Sequence, residues 1–146
     1  MKIAYRLNEA DILLPDYWKD TTINAFVLPS STKAGEAEAT FVITRDQESK
    51  SERVDHYADA QLVEAAKKLN RYKYIDRQSI RISNQPAVQV EYTWVTPDRI
   101  EVKQRQAYVR YGRSFLIFTL TVRARDFEVH ETAWENAIAS VRLREI

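Results

Sequence analysis

The sequence predicts a single α+β domain over residues 1–146: a mainly antiparallel, twisted sheet whose long C-terminal strands form a meander, with two helices packed on one face. Three observations predict it. β-rich runs with period-2 alternation recur along the chain, two segments repeat apolar residues at helical spacing instead, and the turns between the last strands are too short for a parallel crossover. At 146 residues the chain can bury about 70% of its surface, enough for a core without disulfide or metal staples.

In chain order, Ile3–Leu7 and Asp11–Leu14 form a short pair joined by Asn8-Glu9-Ala10, and Pro15-Asp16-Tyr17-Trp18 then breaks the pattern. Thr22–Leu28 and Ala39–Arg45 are β-rich runs on either side of a polar loop, Pro29–Glu38, and read as a hairpin. The polar stretch Arg45–Arg53 reads as a loop feeding a helix. From Asp55 to Tyr72, the residues Ala58, Leu62, Ala65, Ala66 and Leu69 fall on one stripe, with Asp55 as the expected N-cap. A further strand, not delimited by the pattern, precedes the meander. Pro86–Thr96 turns at Pro97-Asp98 into Arg99–Tyr111, which turns at Gly112 into Arg113–Arg123. From Asp126 to Leu143, the positions Phe127, His130, Trp134, Ala137, Ile138 and Val141 again mark a helix, capped by Asp126.

Composition excludes several function classes. With 22 Lys+Arg against 21 Asp+Glu, the net charge is +1, and the basic residues interleave with carboxylates. Nucleic-acid binding, which draws its affinity from a basic surplus, is not expected. The absence of cysteine removes disulfides, thiolate metal sites and a cysteine nucleophile. The start, Met1-Lys2-Ile3-Ala4-Tyr5-Arg6, is followed by no apolar core of a signal peptide, and no apolar stretch approaches about 18 residues. A cytoplasmic protein without stable membrane insertion is expected. Gly35 and Gly112 are the only glycines, which rules out phosphate-cradling loops and nucleophile elbows.

Catalytic constellations are also missing. His56 and His130 stand far apart, each beside or within a helical stripe, where a structural role is the common one. Neither a cofactor nor a metal is expected, and no catalytic residue is assigned. What remains is the sheet. In the last strand Leu116, Phe118, Leu120 and Val122 form an apolar row that faces the helices, while Phe115, Ile117, Thr119 and Thr121 face the other way. In the neighbouring strand Gln104, Gln106 and Tyr108 share a row. The second face therefore mixes amides, hydroxyls and aliphatics. It reads either as an ordinary wet face or as a surface that binds an apolar ligand. Gln61, at the edge of the first helical stripe, reads either as a helix-edge residue facing water or as one that lines a groove between helix and sheet.

Five segments, in order, carry a resemblance: LNEADILLPDYWKDTTIN (Leu7–Asn24), ATFVITRD (Ala39–Asp46), HYADAQL (His56–Leu62), KQRQAYV (Lys103–Val109) and WENAIASVRLR (Trp134–Arg144). Together they resemble the DcrB-related family and, more narrowly, its Eag-type chaperones of type VI secretion effectors. Tyr17 departs from the small turn residue, often glycine, expected between the acidic residue and Trp18. The resemblance implies a cytoplasmic homodimer that is not an enzyme. It implies a client effector with N-terminal transmembrane helices and a PAAR segment, and indirect contact with the spike protein VgrG. It also implies a client-groove role for Val42, Gln61 and Gln106, with Ile23 and Ala25 on the adjoining strand. Gln104 and Tyr108 join them on geometry alone. A small-ligand or lipid-binding domain of the same fold is the alternative reading.

Overall fold

The computed structural model describes residues 1–28, 39–47 and 49–145. The expected α+β class is observed: the described residues form eight strands in two antiparallel sheets, and two α-helices. β1 (Lys2–Arg6) and β2 (Asp11–Pro15) make a separate two-stranded ribbon. The main sheet holds β3 (Asn24–Leu28), β4 (Ala39–Asp46), β5 (Lys73–Ile82), β6 (Gln85–Val95), β7 (Glu101–Tyr111) and β8 (Ser114–Arg123). Its order is β3-β4-β8-β7-β6-β5, so the meander β5 to β8 is extended at its β8 edge by the earlier pair. The loop expected at Pro29–Glu38 lies outside the described residues.

The turns explain the meander. Ser83 and Asn84 take φ of 50° and 64°, the left-handed pair that a two-residue hairpin requires, and Gly112 takes 61° between β7 and β8. The Pro15–Trp18 turn, closed by Trp18 N–H donating to the Pro15 carbonyl at 3.2 Å, uses no positive φ. Tyr17 therefore fits where a glycine was expected.

The helices are α1 (Val54–Lys68) and α2 (Glu131–Ser140), the latter preceded by a 3₁₀ segment, Ala124–His130. Both are shorter than the periodicity suggested. Neither Asp55 nor Asp126 caps its helix. Asp55 sits in the first turn of α1, and Asp126 in the 3₁₀ segment.

The expectation that both helices pack on one face is corrected by the strand register. Phe127, Trp134 and Ile138 pack with Ala87, Ala107, Val109, Phe118, Leu120 and Val122 on one face of the sheet. Tyr57 and Ala58 of α1 pack with Val88, Val90, Tyr92, Tyr108 and Phe115, which alternate with those residues and so point to the opposite face. The reason is that both rows of the meander are apolar where a helix meets them. Phe115 and Val88 belong to the row that alternation marks as the outer one, and α1 needs that row to bury its stripe.

Candidate binding groove

A six-stranded sheet is about 24 Å across at about 4.8 Å per strand, while a helix is about 10 Å wide. One helix can therefore cover only part of a face. α1 lies over β6 and β7, and its Tyr57 meets Tyr108 of β7 edge-on at 5.6 Å and reaches the start of β8, where it stacks on Phe115 (ring centroids 4.1 Å apart). Beyond α1, the same face continues over β8, β4 and β3 without a helix among the described residues. This uncovered strip, walled on one side by α1, is the candidate site.

Its floor follows from the register. Ala25 pairs with Val42, Val42 with Thr119, Thr119 with Gln106, and Gln106 with Val90. Ala25, Val42 and Gln106 thus lie on one transverse row. The next row holds Val27, Thr40, Thr121 and Gln104. Ile23 immediately precedes β3, is 62% exposed, and borders a depression with Thr44. Gln61 lies one helical turn beyond Tyr57, on the same side of α1 as the ring that stacks on Phe115 of β8. Tyr108 is placed differently from its row-mates: at 1% exposure it lies in the core beneath Tyr57, and only its hydroxyl, bonded to Gln106, reaches the network described next. Val27, Thr40, Ile117, Thr119 and Thr121 share the floor but carried no individual assignment. The alternation of β8 opposite Gln106 was the signal that could have found them.

The amides are fixed by a directed chain of hydrogen bonds. An indole N–H can only donate, so the oxygen of Gln104 must face Trp94, at 3.0 Å. The Gln104 amide nitrogen then donates to the Tyr92 hydroxyl at 2.8 Å. That hydroxyl donates to Gln106 Oε1 at 3.2 Å, which also accepts the Tyr108 hydroxyl. Gln106 Nε2 donates to Thr119 Oγ1 at 3.0 Å. Both amide oxygens along the chain accept at least one hydrogen bond. Left uncommitted, among the described residues, are the Thr119 O–H and one N–H on each amide, so the floor offers donors to whatever lies on it. Burial pushes the Tyr57, Tyr92 and Tyr108 hydroxyls well above the ordinary tyrosine pKa, which keeps them protonated and donating.

Among the described residues no cluster of three or more His, Cys, Asp or Glu is arranged to hold a metal ion, and no helix is long and apolar enough to cross a membrane. A cavity of about 640 Å³ lies elsewhere, at the start of α1 against β5 and β6, and none of the groove residues lines it.

Residues 9–140 match the sequence profile of the DcrB family. The chain belongs to the DcrB family. Within the DcrB family it is 38% identical over 137 residues to the Pseudomonas aeruginosa (strain PAO1) protein named Effector EagT6, covering 94% of this chain and 93% of that one. The Eag kinship that the five segments suggested is thereby shown. The crystal structure of the P. aeruginosa protein PA94, of unknown function, superposes with a TM-score of 0.85 at 35% identity, over 99% of both chains. LpqN of Mycobacterium tuberculosis, involved in cell envelope biogenesis, shares the fold alone: TM-score 0.53, 12% identity, and 84% and 82% coverage.

Proposed function

We propose that this DcrB-family chain is a chaperone of a type VI secretion effector, a binding protein without chemistry of its own. It covers the effector's N-terminal transmembrane helices in the cytoplasm until the effector is loaded, through its PAAR segment, onto the VgrG spike. The observation that carries the reading is the uncovered strip beside α1, where Ile23, Ala25, Val27 and Val42 lie across Thr119 and Thr121 of β8 from the donor-bearing amides of Gln104 and Gln106. Kinship with a protein named as an Eag effector protein supports the partner class.

The dimensions suit the cargo. From β3 to β8 the strip is about 10 Å wide between strand axes, close to the diameter of one helix, about 10–12 Å, lying along the strands. A transmembrane helix of about 20 apolar residues left in water would aggregate or insert in the wrong membrane. The aliphatic rows replace lipid, and the amide and threonine donors meet oxygen atoms on or between the client helices, at about 0.6–2 kcal/mol for each bond. Tyr108 supports the floor from within the core, and Gln61 borders the client from the helix. A homodimer offers two such strips, which matches a client carrying more than one helix. All of residues 1–146 act as one domain in this reading.

The test is co-purification from native lysate. Wild type is expected to recover one large protein with predicted N-terminal transmembrane helices, and Val42→Gln or Ile23→Gln to lose it while the fold and dimer persist. Undiminished recovery by both variants would sink the groove assignment. Recovery of a discrete small molecule in place of a protein, seen by native mass spectrometry, would mark a ligand-binding domain instead.

A further inference from the structure

On the α2 face, opposite the groove, the chain segment after α2 (Val141–Arg144) crosses one end of the sheet, where the Leu143 N–H donates to Ser83 Oγ at 2.9 Å. Between this segment and β4 and β8 lies a depression of about 360 Å³. Its floor is apolar: Ile43, Leu116, Phe118, Val141 and Leu143. Its rim is cationic, with Arg45, Arg142 and Arg144, and Arg144 also borders the adjoining depression with Arg6 of the ribbon. No Asp or Glu lines either depression among the described residues. That is a local excess on a chain whose net charge is only +1.

The arginines are not equivalent. Arg45 is held by Asn24 Oδ1 at 2.6 Å and by the Thr22 carbonyl at 3.3 Å. Its charge is partly met by the nearby Asp20 carboxylate, whose pKa it helps the Thr22 hydrogen bonds to lower, so Arg142 and Arg144 are the rim's available cations. Arg142 donates from one nitrogen to the carbonyls of Ala139 in the last turn of α2 and of Val141 just after it, and its other N–H groups make no hydrogen bond among the described residues. Arg144 carries no ion pair among the described residues. Guanidinium groups spread around an open apolar floor match several carboxylates spaced along a chain, with one apolar side chain between them. A fatty acid would instead call for an enclosed tunnel and a single carboxylate anchor.

We propose that this arginine-rimmed depression is a second docking site, which takes an acidic peptide segment with an apolar anchor residue from a partner protein. The sheet separates the apolar floor of this depression from the groove, although Arg45 also borders the depression beside Ile23, and the inference stands whether or not the groove holds a transmembrane helix.

Isothermal titration calorimetry with capped synthetic peptides tests it. The peptide DDFDD is expected to bind the full chain, with DDSDD and KKFKK each weaker by about fivefold or more. Arg142→Glu/Arg144→Glu should weaken DDFDD by about tenfold or more, and raising salt from ~50 to ~500 mM should weaken it further. Arg144→Gln, a milder change in an exposed segment, should give a smaller loss with an unchanged melting curve. Val42→Gln should leave the titration unaltered. Equal binding of DDFDD and KKFKK, or of DDFDD to wild type and both arginine variants, would overturn the proposal. So would displacement of the peptide by laurate, which would make the site one for a lipid carboxylate.

Discussion

Trp94 on β6 donates its indole N–H to Gln104 Oε1 on β7 across 3.0 Å, and this one bond sets the direction of every hydrogen bond that follows along the groove floor. Trp94→Phe removes the only donor to Gln104 Oε1 among the described residues, and the amide is then free to turn over. A stability loss of about 1 kcal/mol is expected, measured by urea unfolding, together with faster rotation of the Gln104 side-chain amide by NMR. An unchanged amide would mean that the direction is set elsewhere.

Gln106→Leu should cost more. Gln106 Oε1 is the shared acceptor of Tyr92 and Tyr108, so the substitution strands two phenolic donors below α1. About 1–3 kcal/mol is expected for such unsatisfied groups. Adding Tyr108→Phe should recover part of it, and a double-mutant cycle in urea would read the coupling.

On the α2 face, Arg105 and Glu91 form a pair buried in the sheet, with Arg105 Nε and a terminal nitrogen at 2.8 and 2.5 Å from one carboxylate oxygen. Lys103 stands 3.6 Å from the same oxygen, and both cations sit over the Phe127 ring. Arg105→Met should destabilise by about 3 kcal/mol, the low end for an orphaned buried charge, because Lys103 remains. Glu91→Leu/Arg105→Met should recover most of that. A double variant no more stable than Arg105→Met alone would refute the account.

Alkaline pH should weaken the fold from one cause. The Tyr57, Tyr92 and Tyr108 hydroxyls are pushed upward, chiefly by burial, so the folded chain holds these protons more tightly than the unfolded one. Below the ordinary tyrosine pKa of about 10 both states keep them, and this contribution is fully present. As pH rises above about 10 the unfolded chain releases protons that the folded chain retains, and stability falls. Urea midpoints between about pH 8 and 11.5 check this, and Tyr108→Phe should flatten the decline.

Ile23→Gln changes an exposed position before β3 and should shift stability by no more than about 0.5 kcal/mol. Thermal melts establish this and so separate lost client capture from lost fold.

The meander was legible because its strands alternate cleanly: Leu116, Phe118 and Leu120 against Ile117, Thr119 and Thr121 can be read without coordinates. β5 was not delimited. It is an edge strand with mostly exposed residues, its register slips between Tyr74 and Asp76, and its hairpin turns on Ser83-Asn84 rather than on a glycine. The side that each helix takes was illegible for a different reason. Parity tells which residues share a face, but Phe115 and Phe118 are equally suited to lie under a helix. The groove rows were legible as rows. That Tyr108 sinks beneath Tyr57 while Gln106 stays at the surface depends on how far α1 reaches, and no spacing encodes that.

Because α2 and α1 take opposite sides, each central strand carries two interleaved scripts. On β4, Phe41 and Ile43 lie on the face where Phe41 meets Phe118 and Trp134, while Thr40 and Val42 face the groove. On β8 and β7 the same alternation holds. Odd and even positions can then drift under separate pressures, one set answering to the protein's own solidity and the other to the cargo proposed above. Retargeting such a protein is therefore a matter of rewriting every second letter on three strands and leaving the letters between them untouched.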